Sequence, residues 1–257
     1  SGLIIDELFK NKADEGNPNI YASNIEEGID GVLEEIGFDY NVHPINIGEG
    51  DQFDKAFLKI SPNNKMPAMV DQDGPEGNPI SIFESGAMLL YLGRKSGQLL
   101  PDEASEPAAF FDTLQWLMFQ MGGIGPMLGQ SHHFNDYARQ RMPVDKIQYG
   151  IDRYVNEANR LYGVLDRCLE GKDFVAADRY TIADIAIFPW VRYPERQGVT
   201  EDEYPNMKRW RDAIWARPNV EKALKILADQ GRQGTHTDKQ WEIMYGKTQR
   251  NQGHSGG

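Results

Sequence analysis

Apolar periodicity changes once along this 257-residue chain, near residue 97, and the change asks for two domains of different architecture. Before it, short extended runs alternate with helices. Pro18–Ser23 and Tyr40–Ile47 read as strands, because Val, Ile and aromatic residues cluster there between turn formers. Ile25–Ile36 reads as a helix interrupted by Gly28 and Gly31. Asp51–Ile60 reads as a short helix that stops at Ser61-Pro62, since a proline biases the residue before it away from helix. Pro67–Asp71 and Pro79–Phe83 flank the turn Asp73-Gly74-Pro75-Glu76-Gly77 as a hairpin, and Glu84–Lys95 closes the unit as a helix. This order is too mixed for a doubly wound sheet and fits a small α+β layer with helices packed on it.

Beyond the junction the chain reads as helical to about Asp229. Along Pro143–Leu169, Ile147, Ile151, Tyr154, Ala158, Leu161, Leu165 and Cys168 recur every three or four residues as one apolar face. Thr181-Ile182-Ala183-Asp184 carries a hydroxyl and, three residues on, a carboxylate, the pattern of a capping box. Tyr204-Pro205 and Arg217-Pro218 open two further helices. The expected organisation is an extension over 1–17, a first domain over 18–96, a linker over 97–105, an all-helical domain over 106–230 and a polar tail over 231–257, with one docked turn around Trp241–Tyr245.

Charge and cysteine usage exclude several function classes. Twenty-seven basic against 39 acidic side chains leave −12 at pH 7, which opposes a sequence-independent grip on nucleic acid or an anionic membrane. Ten of the acidic residues fall within residues 1–39, beside only Lys10 and Lys12. The single cysteine, Cys168, forms no internal disulfide and no zinc cluster, so a reducing compartment is expected. Within the apolar stripe it reads as a small buried hydrophobe, with a catalytic thiol as the alternative. The opening residues lack the basic start and apolar middle of a secretory leader, and no apolar run approaches the ~20 residues of a membrane span. A cytoplasmic location is expected, and the start at Ser1-Gly2 reads as trimmed or tagged.

Three segments could carry chemistry. Asn63-Asn64-Lys65-Met66-Pro67-Ala68-Met69-Val70 runs from polar residues through a proline into a strand. A cis Met66-Pro67 bond would expose the Met66 main chain on a sheet edge, where an extended peptide could add. Phe83-Glu84-Ser85-Gly86 takes a strand directly into a helix, with a carboxylate and a hydroxyl at the junction. This is either a plain helix cap or an amino-acid head-group site, where helix N–H groups and Ser85 hold a carboxylate while Glu84 takes an ammonium. In Gly125-Pro126-Met127-Leu128-Gly129-Gln130-Ser131-His132-His133-Phe134, the neighbouring histidines diverge by about 100° on a helix, so they read as structural or pocket-lining rather than as a metal pair. There is no Gly-x-Ser-x-Gly elbow, P-loop or Gly-x-Gly-x-x-Gly motif.

Together these segments resemble the glutathione transferase family, most of all its nu-class and yeast nitrogen-regulator-like branch. In the first domain the resemblance rests on Gly48-Glu49-Gly50-Asp51-Gln52-Phe53, Ile60-Ser61-Pro62-Asn63-Asn64-Lys65-Met66-Pro67-Ala68 and Phe83-Glu84-Ser85-Gly86-Ala87. In the second it rests on Leu114-Gln115-Trp116, Gln120-Met121-Gly122-Gly123, Gly125-Pro126-Met127, His132-His133-Phe134 and Tyr180-Thr181-Ile182-Ala183-Asp184. It implies a thioredoxin-like domain followed by an all-α domain, usually as a homodimer. It also implies glutathione as cosubstrate, no metal, and a small electrophilic or disulfide substrate. By the same resemblance Met66 would bond the cysteinyl backbone of glutathione, Glu84 and Ser85 would hold its γ-glutamyl group, and Gln52 and Lys65 would reach its glycyl end. Arg153 matches an arginine that contacts glutathione in nu-class relatives, and Met127, His133 and Phe134 would line the second-substrate pocket.

The chain departs from this branch after its first strand. Relatives there usually carry a Thr-Pro-Asn-Gly-like turn, whereas here Ser23-Asn24-Ile25-Glu26-Glu27-Gly28 follows Ile20-Tyr21-Ala22 and is shorter. Ser23 and Asn24 keep a hydroxyl and an amide and are the candidate donors to the glutathione sulfur. Lowering a thiol from about 8.5 to about 7 takes roughly 2 kcal/mol, while a carboxylate about 6 Å away would oppose it by nearly 3 kcal/mol at an effective dielectric of about 20. The function the resemblance implies is a glutathione-dependent transferase or disulfide-bond oxidoreductase. The alternative is a non-catalytic glutathione-binding or regulatory protein that has lost thiol activation.

Overall fold

A computed structural model of the chain describes residues 18–22, 27–226 and 235–250. It divides into two compact units, one holding residues up to Met88 together with those from Leu224 onward, the other Leu89–Ala223.

The first unit is built on a four-stranded sheet. Strand β1 (Asn19–Ala22) is followed by helix α1 (Glu27–Ile36) and strand β2 (Asn41–Pro44); β3 (Ala68–Asp71) and β4 (Ile80–Phe83) come later, in the spatial order β2-β1-β3-β4. β1 and β2 pair in parallel, with Ala22 opposite Pro44, which requires the crossover that α1 supplies. β1 and β3 pair antiparallel with Tyr21 opposite Ala68, and β3 and β4 antiparallel with Ala68 opposite Phe83. All four residues of β1 and of β3 are buried, as expected for strands covered on both faces. Tyr21, Phe57, Ile60, Ala68 and Val70 form one core cluster, with Met66 packed against it.

The expected single helix over 51–60 is two elements. A short 3-10 turn, Asp51–Phe53, precedes α2 (Lys55–Ile60). Asp54 breaks them, with an extended backbone (φ −60°, ψ 135°) and a carboxylate that accepts from the Ala56 N–H at 2.8 Å. A residue that caps the following turn cannot continue the preceding one. Helix α3 (Ser85–Ser96) leaves the sheet directly from β4.

The second unit is built of helices joined by turns, with no strand among its described residues. α4 (Pro107–Phe119) and α5 (Gly125–His132) are joined by a wide π turn at Gln120–Ile124, and a second π turn follows at His133–Tyr137. α6 (Val144–Cys168) buries Ile147, Ile151, Ala158, Leu161, Tyr162 and Leu165, the face its periodicity predicts. Cys168, at the end of that face, is half-buried rather than enclosed; its thiol donates to the Val175 carbonyl at 3.4 Å, and burial pushes its pKa up. α7 (Ile182–Ile187) starts with the expected capping box, Thr181 and Asp184, and is buried at every residue. α8 (Pro205–Trp215) and α9 (Pro218–Ala223) follow. The Asp184 carboxylate accepts from the Trp210 indole N–H on α8 at 2.9 Å and from the Val175 N–H at 3.0 Å. α10 (Asp238–Tyr245) belongs to the first unit and has its own capping box, Thr237 with Gln240.

Candidate functional site

Strand register places the candidate segments at one end of the first unit's sheet. β1 ends at Ala22, β2 at Pro44 and β4 at Phe83, and β3 begins at Ala68; the pairings Ala22–Pro44, Tyr21–Ala68 and Ala68–Phe83 bring these four points together. Whatever leaves β1 or β2, enters β3 or leaves β4 therefore starts from the same sheet end. Ser23 and Asn24 come directly after β1 but lie outside the described residues.

The entry to β3 is a tight, self-bonded turn. The Asn64 N–H donates to the Ser61 carbonyl at 2.9 Å, and Asn64 sits in the left-handed region at φ 47°. The Ser61 hydroxyl, fully buried, donates to the Lys65 carbonyl at 2.8 Å and so fixes the peptide that leads into Met66. The Met66-Pro67 bond is cis. One expectation is corrected here: β3 runs between β1 and β4, so Met66 lies off the end of an interior strand and not along a sheet edge. Edge position depends on long-range pairing, which the local pattern does not carry.

The exit from β4 faces that turn. Glu84 joins β4 to α3 with φ 72°, a left-handed backbone that costs a non-glycine residue roughly 1–2 kcal/mol. Its carbonyl accepts from the Met88 N–H at 3.1 Å, closing the first turn of α3. Its exposed carboxylate accepts from the Asn63 side-chain amide at 3.4 Å, across the gap between the two segments. A small cleft lies there, with Ser61, Asn63, Lys65 and Met66 on one wall and Phe83, Glu84 and Ser85 on the other. It gathers a lysine, a carboxylate, a hydroxyl and the start of a helix, whose leading N–H groups have no acceptor within the helix. Such a set can hold a zwitterionic head group and an extended backbone beside it. Ser61 and Asn63 stand within the motif segments read from the sequence but receive no role there. A further hint of Ser61's part is its spacing of four residues before Lys65, which a hydroxyl can close as a turn.

The remaining expected site residues sit on other elements. Gln52 is buried in the 3-10 turn; its amide Nε2 donates to the Ile47 carbonyl at 3.3 Å and its Oε1 has no partner. Arg153 is exposed on α6 in the second unit, near Glu157. Met127 is half-buried on α5. His133 meets Phe134 edge-on at 5.3 Å, and burial holds its imidazole below the ordinary value. Phe134 stacks on Tyr154 at 5.4 Å and lies over Gly150, where an added Cβ would come within 2.6 Å of the ring. Among the described residues no group of three His, Cys, Asp or Glu could hold a metal ion, and no helix is long and apolar enough to cross a membrane.

Known proteins match both units. The family model for the glutathione S-transferase N-terminal domain matches residues 19–94, and that for the C-terminal domain matches 145–218. The chain is 48% identical over 193 residues to the disulfide-bond oxidoreductase YfcG of Escherichia coli (strain K12), covering 75% of this chain and 86% of that one. It is 30% identical over 234 residues to the transcriptional regulator URE2 of Saccharomyces cerevisiae, covering 76% of this chain and 63% of the regulator. A solved glutathione transferase from Pseudomonas putida, with one glutathione disulfide bound per subunit, superposes with a TM-score of 0.78 at 42% identity, over 86% of this chain and 96% of its own.

Proposed function

Because the chain belongs to the glutathione S-transferase family, we propose that it binds glutathione in the cleft at the sheet end and uses the bound thiol for disulfide-bond oxidoreduction or transfer. The observation that carries this reading is the convergence of Lys65, Met66, Glu84 and Ser85 on one cleft, with Glu84 held at φ 72°. In this reading Glu84 pairs with the γ-glutamyl ammonium, Ser85 and the start of α3 take its carboxylate, and the Met66 main chain bonds the cysteinyl unit. Gln52 and Lys65 serve the glycyl end.

The reactive sulfur is glutathione's own. The chain's one cysteine, Cys168, is a half-buried thiol whose pKa burial raises, the opposite of an activated nucleophile. Bound glutathione thiolate attacks one sulfur of a disulfide, forming a mixed disulfide and releasing a thiolate. A second glutathione then resolves the mixed disulfide to glutathione disulfide and the second thiol. Ser23 and Asn24 are the proposed donors to the glutathione sulfur, Arg153 a further glutathione contact, and Met127, His133 and Phe134 the proposed lining of the second-substrate pocket. The domain bounds 18–96 and 106–230, a homodimeric assembly and a cytoplasmic location belong to the same proposal.

Calorimetry with glutathione, followed by turnover with glutathione and a small symmetrical disulfide, tests the reading. Wild type should bind and turn over, and Ser23→Ala or Asn24→Ala should slow turnover roughly tenfold, the worth of about one pKa unit at the sulfur. Absence of glutathione binding would overturn the proposal. Similarity to the regulator URE2 favours a second reading, a glutathione-binding regulator without chemistry. Binding with no turnover of any disulfide or electrophile would select it.

A further inference from the structure

Helix α10 packs on the loop that carries Gln52, although about 190 residues separate them in sequence. The loop is closed by its own bonds: the Asn46 carbonyl accepts from the Glu49, Gly50 and Asp51 N–H groups, and the Asn46 side chain accepts from the Gly48 N–H at 3.1 Å. The Asn46 N–H donates to the Asp51 carboxylate at 3.0 Å, and the loop's Ile47 carbonyl holds the Gln52 amide. From α10, the Gln240 side chain lies flat on Gly48: a Cβ there would come within 3.0 Å of its Nε2 and 3.2 Å of its Cγ. Beside it the Lys239 ammonium pairs with the Glu49 carboxylate. Gln240 is also the return partner of the α10 cap, accepting from the Thr237 N–H at 2.9 Å, so the residue that touches the loop is set by the helix start. His236, Trp241 and Tyr245 form an aromatic cluster on the same segment, with Trp241 and Tyr245 rings 4.7 Å apart.

Two consequences follow for the loop. Its Gly48-Glu49-Gly50-Asp51 stretch carries two carboxylates immediately before Gln52, and both are engaged, Asp51 by a main-chain N–H and Glu49 by Lys239. Without Lys239, Glu49 would add uncompensated negative charge beside the residue that serves an anionic ligand group. Gln52 meanwhile keeps a buried, unpartnered amide oxygen, so its orientation depends on the loop carbonyl that holds its nitrogen.

We propose that Lys239 and Gln240 of α10 are specificity-determining positioning residues for the glycyl carboxylate of glutathione, acting through Glu49, Gly48 and the Gln52 loop. This rests on the reading of the cleft as a glutathione site. Lys239 neutralises the loop's carboxylate and Gln240 braces its backbone, so the tail selects a tripeptide that ends in a free carboxylate.

The test compares glutathione with its glycyl monoethyl ester, which keeps the tripeptide and removes the terminal charge. In the full chain, Lys239→Glu should raise the KM and Kd for glutathione about three- to fivefold, the scale of one exposed charge pair, and leave kcat and the ester's Kd unchanged. Exchanging the charges, Lys239→Glu with Glu49→Lys, should restore the wild-type value, and Gln240→Ala should weaken glutathione in the same selective way. An equal loss for both ligands, no loss for either, or failure of the exchange to rescue would overturn the proposal. If wild type binds neither ligand, the glutathione reading itself fails, an outcome distinct from all of these.

Discussion

Glu84 concentrates the trade between stability and use at a single residue. Its side chain reaches the Asn63 amide across the cleft, and its backbone sits at φ 72°, where glycine is at ease and a side chain is not. Glu84→Gly should therefore raise stability by about 1 kcal/mol in urea unfolding while removing glutathione binding. Glu84→Gln should leave stability unchanged and weaken glutathione by roughly tenfold, the worth of one charge-assisted hydrogen bond. A glycine variant no more stable than wild type would show that the left-handed backbone carries no strain. The sequence displays the carboxylate and hydroxyl of Glu84 and Ser85 at a strand–helix junction. It does not display the positive φ that Glu84 adopts between β4 and α3.

Single elements differ in how far local chemistry decides them. The capping box at Thr181 and Asp184 is readable from four residues, because both of its bonds close within one turn. What the box does beyond that turn is not: Asp184 also takes the Trp210 indole N–H and the Val175 N–H, tying α7 to α8 and to the preceding loop. Burial pushes the Asp184 carboxyl up to about 6, against the pull of these donors. With the folded pKa above the unfolded value near 3.9, the native state holds more protons between the two. The contribution of Asp184 to stability should therefore fall as pH rises from about 4 to about 6. Asp184→Asn should abolish that slope and lower stability by about 2–3 kcal/mol, since its amide NH₂ would face donors; Thr181→Ala should cost about 1 kcal/mol. Urea titrations at pH 4, 5, 6 and 7 check both, and an unchanged slope in Asp184→Asn would assign the dependence to another group. The break at Asp54 and the interior position of β3 show the opposite limit. One depends on which of two turns an aspartate caps, the other on a strand order set by residues far apart.

At the scale of the whole molecule, one cysteine and an acidic surplus bound the chemistry. Cys168 ends the apolar face of α6 and donates to the Val175 carbonyl, so removing it should disturb packing slightly and chemistry not at all. Cys168→Ala is expected to keep glutathione-dependent turnover to within about twofold, as suits a thiol that is not the nucleophile. A large loss would move the reactive sulfur from the cosubstrate to the protein. The −12 charge argues against nucleic acid as a default partner, and the loop before Gln52 shows the same surplus handled locally, by a lysine on α10.

The sequence by itself determined the fold class, the helical face of α6, the capping box and the motif segments of the proposed glutathione site. The helical face and the capping box rest on periodicity or on contacts within a few residues, whereas the thioredoxin-like fold class and the site segments rest on the resemblance to the glutathione transferase family. Only the tertiary structure decided that the ends of β1, β2 and β4 and the start of β3 share one sheet end. It alone brought Ser61 and Asn63 into the cleft, bent Glu84 into a left-handed turn and laid α10 on the Gln52 loop. These depend on strand order and on packing between distant segments, and such contacts form where buried area and pairing outweigh the entropy of closing long loops. No local pattern records that balance.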